Sequence, residues 1–295
     1  MLLFSPVKAC CCQQGNIDNK DILDGGEKIR PTQGLDEDEL PVGAGLDDAN
    51  AKLVERPETI VEDGARYKGQ WKDDKKHGSG ILVRKDGQMY EGSFKNGLPH
   101  GEGFFRAANG NTYNGQWFMD SAHGEGKFTH VDGSSYEGQW KDDEKSGKGV
   151  EKWADGASYV GEFLSGGKHG QGTYTSGTGV KYTGQFRHDR MDGEGSYTFA
   201  DGRIYTGQWK AAHMNGYGKM SWTSGSTYEG NYENDMKSGE GTYTWPNGQV
   251  YKGQWRNGKQ DGVGELVDSN GQKTVGEWRA GDPVQVHSTS KDVGA

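Results

Sequence analysis

The sequence predicts an all-β protein, an elongated solenoid of stacked antiparallel β-hairpins. A 23-residue period runs without insertion or deletion, every period sets glycines at fixed offsets from aromatic residues, and most periods close on Asp-Gly or Asn-Gly. Disorder would lack the aromatics, and a thick globular core would need more apolar residues.

The totals set these bounds. The chain has 295 residues, 31% of them apolar, with 51 glycines, 9 tryptophans and 14 tyrosines. That is glycine on the scale of a turn-rich repeat combined with the aromatics of something that packs. The net charge of −9 is concentrated at the start: residues 1–63 hold 14 Asp/Glu against 6 Lys/Arg, leaving −1 for the rest. A nearly neutral remainder without a basic block argues against nucleic acid as the main partner. No run of apolar residues is long enough for a membrane-spanning helix. The opening MLLFSPV is short for a signal peptide and has no preceding basic residue, so the expected location is cytoplasmic. The cysteines, Cys10, Cys11 and Cys12, are adjacent and offer no disulfide framework.

Each period starts on tyrosine: Tyr67, Tyr90, Tyr113, Tyr136, Tyr159, Tyr182, Tyr205, Tyr228 and Tyr251, with Thr274 opening a truncated tenth frame. Two residues on is glycine, from Gly69 to Gly276, and two further is an aromatic. These repeat aromatics are Trp71, Phe94, Trp117, Trp140, Phe163, Phe186, Trp209, Tyr232, Trp255 and Trp278. A Gly-x-Gly pair follows, as in Gly147/Gly149, and then a turn glycine preceded by Asp or Asn in seven of nine frames.

Asp-Gly between short alternating segments predicts a hairpin with a type I′ turn. One strand of it runs through Gly126–His130 and the other through Ser134–Trp140. Alternation puts Tyr136, Gly138 and Trp140 on one face and Glu137, Gln139 and Lys141 on the other. Glycine between two aromatics leaves a slot for a ring from the neighbouring hairpin. Ten such hairpins would extend on the order of 90–100 Å. Each is marginal alone, so stability comes from nearest neighbours and the ends need capping.

The pattern Y-x-G-x-W-x6-G-x-G, with histidine before the later glycine at His77, His100, His123 and His169, resembles the MORN repeat family (membrane occupation and recognition nexus) over residues 64–281. Ser146, Asp192, Asn215, Ser238 and Asp261 stand where that family often has histidine. The resemblance implies a repeat scaffold of the kind found in membrane–cytoskeleton assemblies, in cilia and flagella including radial-spoke heads, and beside lipid-kinase or methyltransferase domains. The residues outside the repeats leave no room for either catalytic domain.

The repeated histidines lie at ~10 Å intervals in successive hairpins, too far apart to share a metal, and read as turn residues that hydrogen-bond backbone. Glycine pairs such as Gly101/Gly103 lack the following helix that a phosphate loop requires. No catalytic constellation stands out, so neither a metal, a cofactor nor an enzymatic activity is expected.

A cation follows the repeat aromatic in seven frames, at Lys72, Lys95, Lys141, Arg187, Lys210, Arg256 and Arg279. This row is either a solvated edge that discourages strand pairing or a contact for anionic phospholipid or an acidic partner. Cys10–Cys12 beside a short apolar start form a candidate S-acylation site.

Residues 1–63 read as a flexible acidic segment, 64–281 as the repeat solenoid and 282–295 as a loose tail after Asp282-Pro283. Trp278 then lies on an unfinished end, which a second copy or another partner would bury. The expected function is a non-enzymatic scaffold linking a membrane to cytoskeletal or signalling partners, with the aromatic face and the cation row of the ribbon recruiting a protein partner; a structural part of a cilium, flagellum or other cytoskeletal assembly, or a regulatory subunit of a lipid kinase, are the alternatives.

Overall fold

The computed structural model describes residues 52–291. They form two compact units divided at residues 154 and 155. The first contains β1 (Val54–Ile60), β2 (Arg66–Lys72), β3 (Lys75–Val83), β4 (Met89–Lys95), β5 (Leu98–Arg106), β6 (Thr112–Phe118), β7 (Ser121–Thr129), β8 (Ser135–Lys141) and β9 (Glu144–Lys152). The second contains β10 (Ser158–Leu164), β11 (Gly167–Thr175), β12 (Lys181–Arg187), β13 (Arg190–Thr198), β14 (Ile204–Lys210), β15 (His213–Ser221), β16 (Thr227–Glu233), β17 (Met236–Thr244), β18 (Val250–Arg256), β19 (Lys259–Val267), β20 (Gln272–Arg279) and β21 (Asp282–Lys291). Within each unit every strand pairs antiparallel with the next, and helix is confined to one 3₁₀ turn at Glu62–Gly64 among the described residues. The fold is all-β, as the period predicts.

Tyrosine strands alternate, most cleanly in β12, β14, β16 and β18. In β14 Tyr205, Gly207 and Trp209 are buried while Thr206, Gln208 and Lys210 are exposed. The ring that fills the glycine slot belongs to the same strand, which corrects the expected donor. Tyr205 lies along its own strand and its hydroxyl donates to the Gln208 carbonyl at 2.9 Å. A Cβ on Gly207, between the two aromatics, would come within 2.8 Å of that same hydroxyl and 2.4 Å of the Gly218 Cα, and one on Gly218, in the paired strand β15, within 2.3 to 2.6 Å of the ring. Rings within a frame and between neighbouring frames then meet edge to face: Tyr205 packs against Trp209 of its own frame at 5.1 Å and against Tyr232 of the next at 5.2 Å. Indole N–H groups find backbone, as Trp209 Nε1 donates to the Gly195 carbonyl at 3.2 Å.

The turn assignment is also corrected. Asp132-Gly133 sits in a three-residue loop in which Gly133 N–H donates to the His130 carbonyl at 3.0 Å and His130 N–H to the Ser134 carbonyl at 2.9 Å. Only Gly133 has positive φ, at 89°, while the Asp132 carboxylate accepts the Ser134 N–H at 2.8 Å. This is a type I turn followed by a left-handed glycine. Two consecutive positive φ values, as a type I′ turn needs, occur at the opposite end of the strands: Asp142-Asp143 (51°, 70°), Ala211-Ala212 (49°, 71°) and Asn234-Asp235 (48°, 69°). Asn96-Gly97 (53°, 97°) and Asn257-Gly258 (51°, 81°) do the same with the residues that type I′ favours, whereas the other pairs share no sequence signal.

Strand extends beyond the expected bounds at both ends. β1, placed by sequence in the acidic segment, pairs with β2, and its Arg56 guanidinium lies 4.8 Å from the Trp71 ring centroid. β21, expected to be loose tail, pairs with β20 through bulges and sets Pro283 opposite Trp278, which is 5% exposed. The end is finished by the chain itself, which removes the reason for expecting a second copy there.

Candidate functional site

The repeat aromatics are core, not recruiting surface. From Trp71 to Trp278 each is at most 6% exposed, and each tyrosine beside them at most 4%. Burial pushes the Tyr67 and Tyr251 phenols up to about 12, and the phenols between them shift in the same direction where a shift is resolved.

Within each unit the cations of the expected row sit at the tight-turn ends of the tyrosine strands, on the face opposite the aromatics. Lys95, Lys141, Arg187, Lys210, Arg256 and Arg279 are exposed and Lys72 is half-buried. Lys72, Arg187 and Arg256 sit directly across from further cations, Lys75, Arg190 and Lys259, a doubling that the sequence period does not announce. Arg256 pairs with Asp261 at 2.9 Å. Phe118, Leu164 and Glu233 interrupt the row. Because cations and aromatics face opposite ways, one partner surface cannot use both within a frame. Cys10–Cys12 lie outside the described residues.

The histidine position serves the next turn. His77 Nδ1 accepts the Asn96 N–H at 3.5 Å, while Asp192 and Asp261 carboxylates accept the Ala211 and Ala280 N–H groups at 3.0 and 3.2 Å. No group of three metal-ligating side chains converges among the described residues. The first glycine of each Gly-x-Gly is a bulge with positive φ, as at Gly216 (92°), and the Gln208 side chain folds over it to accept the Tyr217 N–H at 2.9 Å.

Several aromatics of the second unit reach solvent. Phe199, Trp222, Tyr243 and Trp245 are half-buried. Tyr197 meets Phe199 and Tyr243 meets Trp245 at 4.6 Å, and Trp222 meets Tyr243 at 5.6 Å. Phe199, Trp222 and Trp245 share one offset within the repeat with Trp153, but the first three frames have Arg84, Ala107 and His130 there and a later one Ser176, so no invariant marked it in the sequence.

Lys237 lies among these rings. Its Nζ is 4.2 Å from the Trp255 centroid, 4.7 Å from Tyr243, 5.4 Å from Tyr228 and 5.9 Å from Trp222. Burial lowers its pKa from the ordinary 10.5 to about 8.

The MORN repeat family model matches nine consecutive repeats, residues 67–89, 90–112, 113–135, 136–158, 159–181, 182–202, 205–227, 228–250 and 251–273. No curated protein matches the chain. Among solved structures, the wild-type TCP10 domain of Danio rerio CPAP is 12% identical with a TM-score of 0.31, over 79% of this chain and 99% of that one. The TCP domain of Drosophila melanogaster SAS-4, solved with a proline-rich motif of Ana2, is 11% identical with a TM-score of 0.31, over 69% of this chain and 97% of that one. Nine repeats in one register, each with its tyrosine, glycine and aromatic in the structural roles described above, place this chain in the MORN repeat family.

Proposed function

We propose that this protein is a non-enzymatic scaffold that is held at the cytoplasmic face of a membrane through acylated Cys10, Cys11 and Cys12 and recruits cytoskeletal or signalling proteins with its repeats. MORN repeats support a repeat-containing interaction protein in general. The observation that carries the recruiting part is the cluster of half-exposed rings at Trp222, Tyr243 and Trp245, with Phe199 half-exposed at the equivalent place one frame earlier, set on a sheet whose repeat aromatics are already buried. Large, stiff aromatic side chains left in contact with water on a packed support are the kind of surface that protein partners cover. The cation row lies on the other face and would turn toward anionic headgroups while the aromatic side holds a protein.

Membrane fractionation with acyl-exchange labelling tests the tether, comparing the intact chain with a Cys10/Cys11/Cys12→Ser variant. The expected result is an acylated, membrane-bound chain and a soluble variant. If neither is acylated and both stay in a detergent-resistant cytoskeletal fraction, the tether fails and a structural role in a cilium, flagellum or other assembly takes its place.

A further inference from the structure

We propose that Lys237 and the rings around it form a binding site for a carboxylate side chain, an aspartate or glutamate carried on a peptide segment of a protein partner. This rests on the reading of the repeats as a protein-recruiting scaffold and names the chemistry of the partner.

The repeat supplies its own comparison. Lysine occupies this register position, opposite the repeat aromatic, four times: Lys76, Lys145, Lys168 and Lys237. Three of them have an acid of this chain nearby. Lys145 is paired with Glu151, Lys168 with Asp189 at 3.3 Å, and Lys76 lies in the field of Glu62 and Asp120. Lys237 has no acid beside it among the described residues, and burial alone accounts for its shifted titration.

The places from which the other three lysines draw an acid are occupied otherwise: at the offsets of Glu62 and Asp120 from Lys76 stand Thr223 and Gly281. Glu151 follows Lys145 by six positions, and six after Lys237 stands Tyr243. Asp189 follows Lys168 by 21 positions, and 21 after Lys237 stands Gly258. The missing counter-charge is therefore specific to this frame, and in its place the chain has set rings.

A half-buried ammonium without a counter-ion costs free energy that a carboxylate from outside would offset. Trp222 and Tyr243 are half-exposed beside it and would cover the aliphatic part of an acidic side chain and its neighbours. A phosphate headgroup fits less well, because it calls for several convergent cations and this pocket holds one.

Isothermal titration calorimetry on the full chain tests this, using an end-capped peptide of alternating leucine and glutamate and its leucine–glutamine counterpart. The glutamate peptide is expected to bind at least tenfold more tightly. Lys237→Met is expected to erase that preference and Lys168→Met to keep it. Gly258→Asp keeps Lys237 but supplies the acid internally, and is expected to erase the preference as well. Gly258 has room for it, since nothing lies within 4 Å of a Cβ there, and its φ of 81° is on the positive side, where aspartate at 189 also sits. Circular dichroism confirms that each variant is folded.

Equal affinity for the two peptides, or a glutamate preference that survives Lys237→Met, overturns the proposal. So does Lys237-dependent binding of anionic phospholipid vesicles by a chain that ignores the peptide. Failure here with the chain still acylated and membrane-bound leaves the tethered scaffold standing, whereas loss of the tether does not touch the peptide result.

Discussion

Glycine at the second Gly-x-Gly position is fixed by contact, and glycine at the loop position by backbone. For Gly218 a methyl would meet the buried Tyr205 ring, which is itself clamped by its hydroxyl to the Gln208 carbonyl. For Gly248 nothing lies within 4 Å, but φ is 85°. Gly218→Ala should therefore destabilise by about 3 kcal/mol through overpacking, and Gly248→Ala by about 1 kcal/mol through strain. Urea unfolding of the two variants checks the ranking, and a reversed order would mean that the ring can move.

Lys237 makes stability depend on pH. Below pH about 8 the ammonium is present in folded and unfolded chains alike, and the full burial penalty opposes folding. Between about 8 and 10.5 the folded protein has released the proton while the unfolded chain still binds it, so stability rises with pH. The phenols of Tyr228, Tyr232 and Tyr243 face the same amine, and burial holds the first two above their usual range. Relative to Lys237→Met, the native chain should gain about 2 to 3 kcal/mol across that interval. Melting temperatures that track in parallel for the two proteins would contradict the shift.

At the scale of the element, the hairpin uses two unlike connections. The loop with Asp-Gly was visible in the sequence because an Asx hydrogen bond and a left-handed glycine each demand a particular residue. The tight turn carries the Asn-Gly signal only at Asn96-Gly97 and Asn257-Gly258; elsewhere its two positive φ values fall on pairs such as Asp-Asp, Asn-Asp and even Ala-Ala, tolerated once the flanking strands are clamped by buried rings. Alanine carries a penalty there that Asn-Gly does not. Replacing Ala211-Ala212 by Asn-Gly should raise stability by about 1 kcal/mol, read as a higher thermal midpoint with an unchanged spectrum. The bulge is a similar case: alternation placed glutamine on the polar face, and the structure uses Gln208 to satisfy the Tyr217 N–H that the bulge leaves over.

At the scale of the molecule, a repeat array exposes its last core layer unless something covers it. β21 covers Trp278 here, and β1 with Arg56 shields Trp71. Truncation after Gly281 should uncover Trp278, seen as a red-shifted emission and a lower midpoint for the second unit. If Trp278 stays shielded in the truncated chain, another segment is the cap. β1 and β21 were not legible in the sequence because caps sit outside the period and their residues match no frame.

The sequence by itself determined the all-β class, the frame, the buried face and the family, because each depends on spacing that survives any change of surface residue. Tertiary structure alone decided which ring fills each glycine slot, which connection takes the type I′ geometry, how the ends are closed and which lysine lacks an acid. Those outcomes depend on neighbours brought together across strands, such as Tyr243 and Gly258 beside Lys237, whose meeting is set by strand register and not by any local pattern.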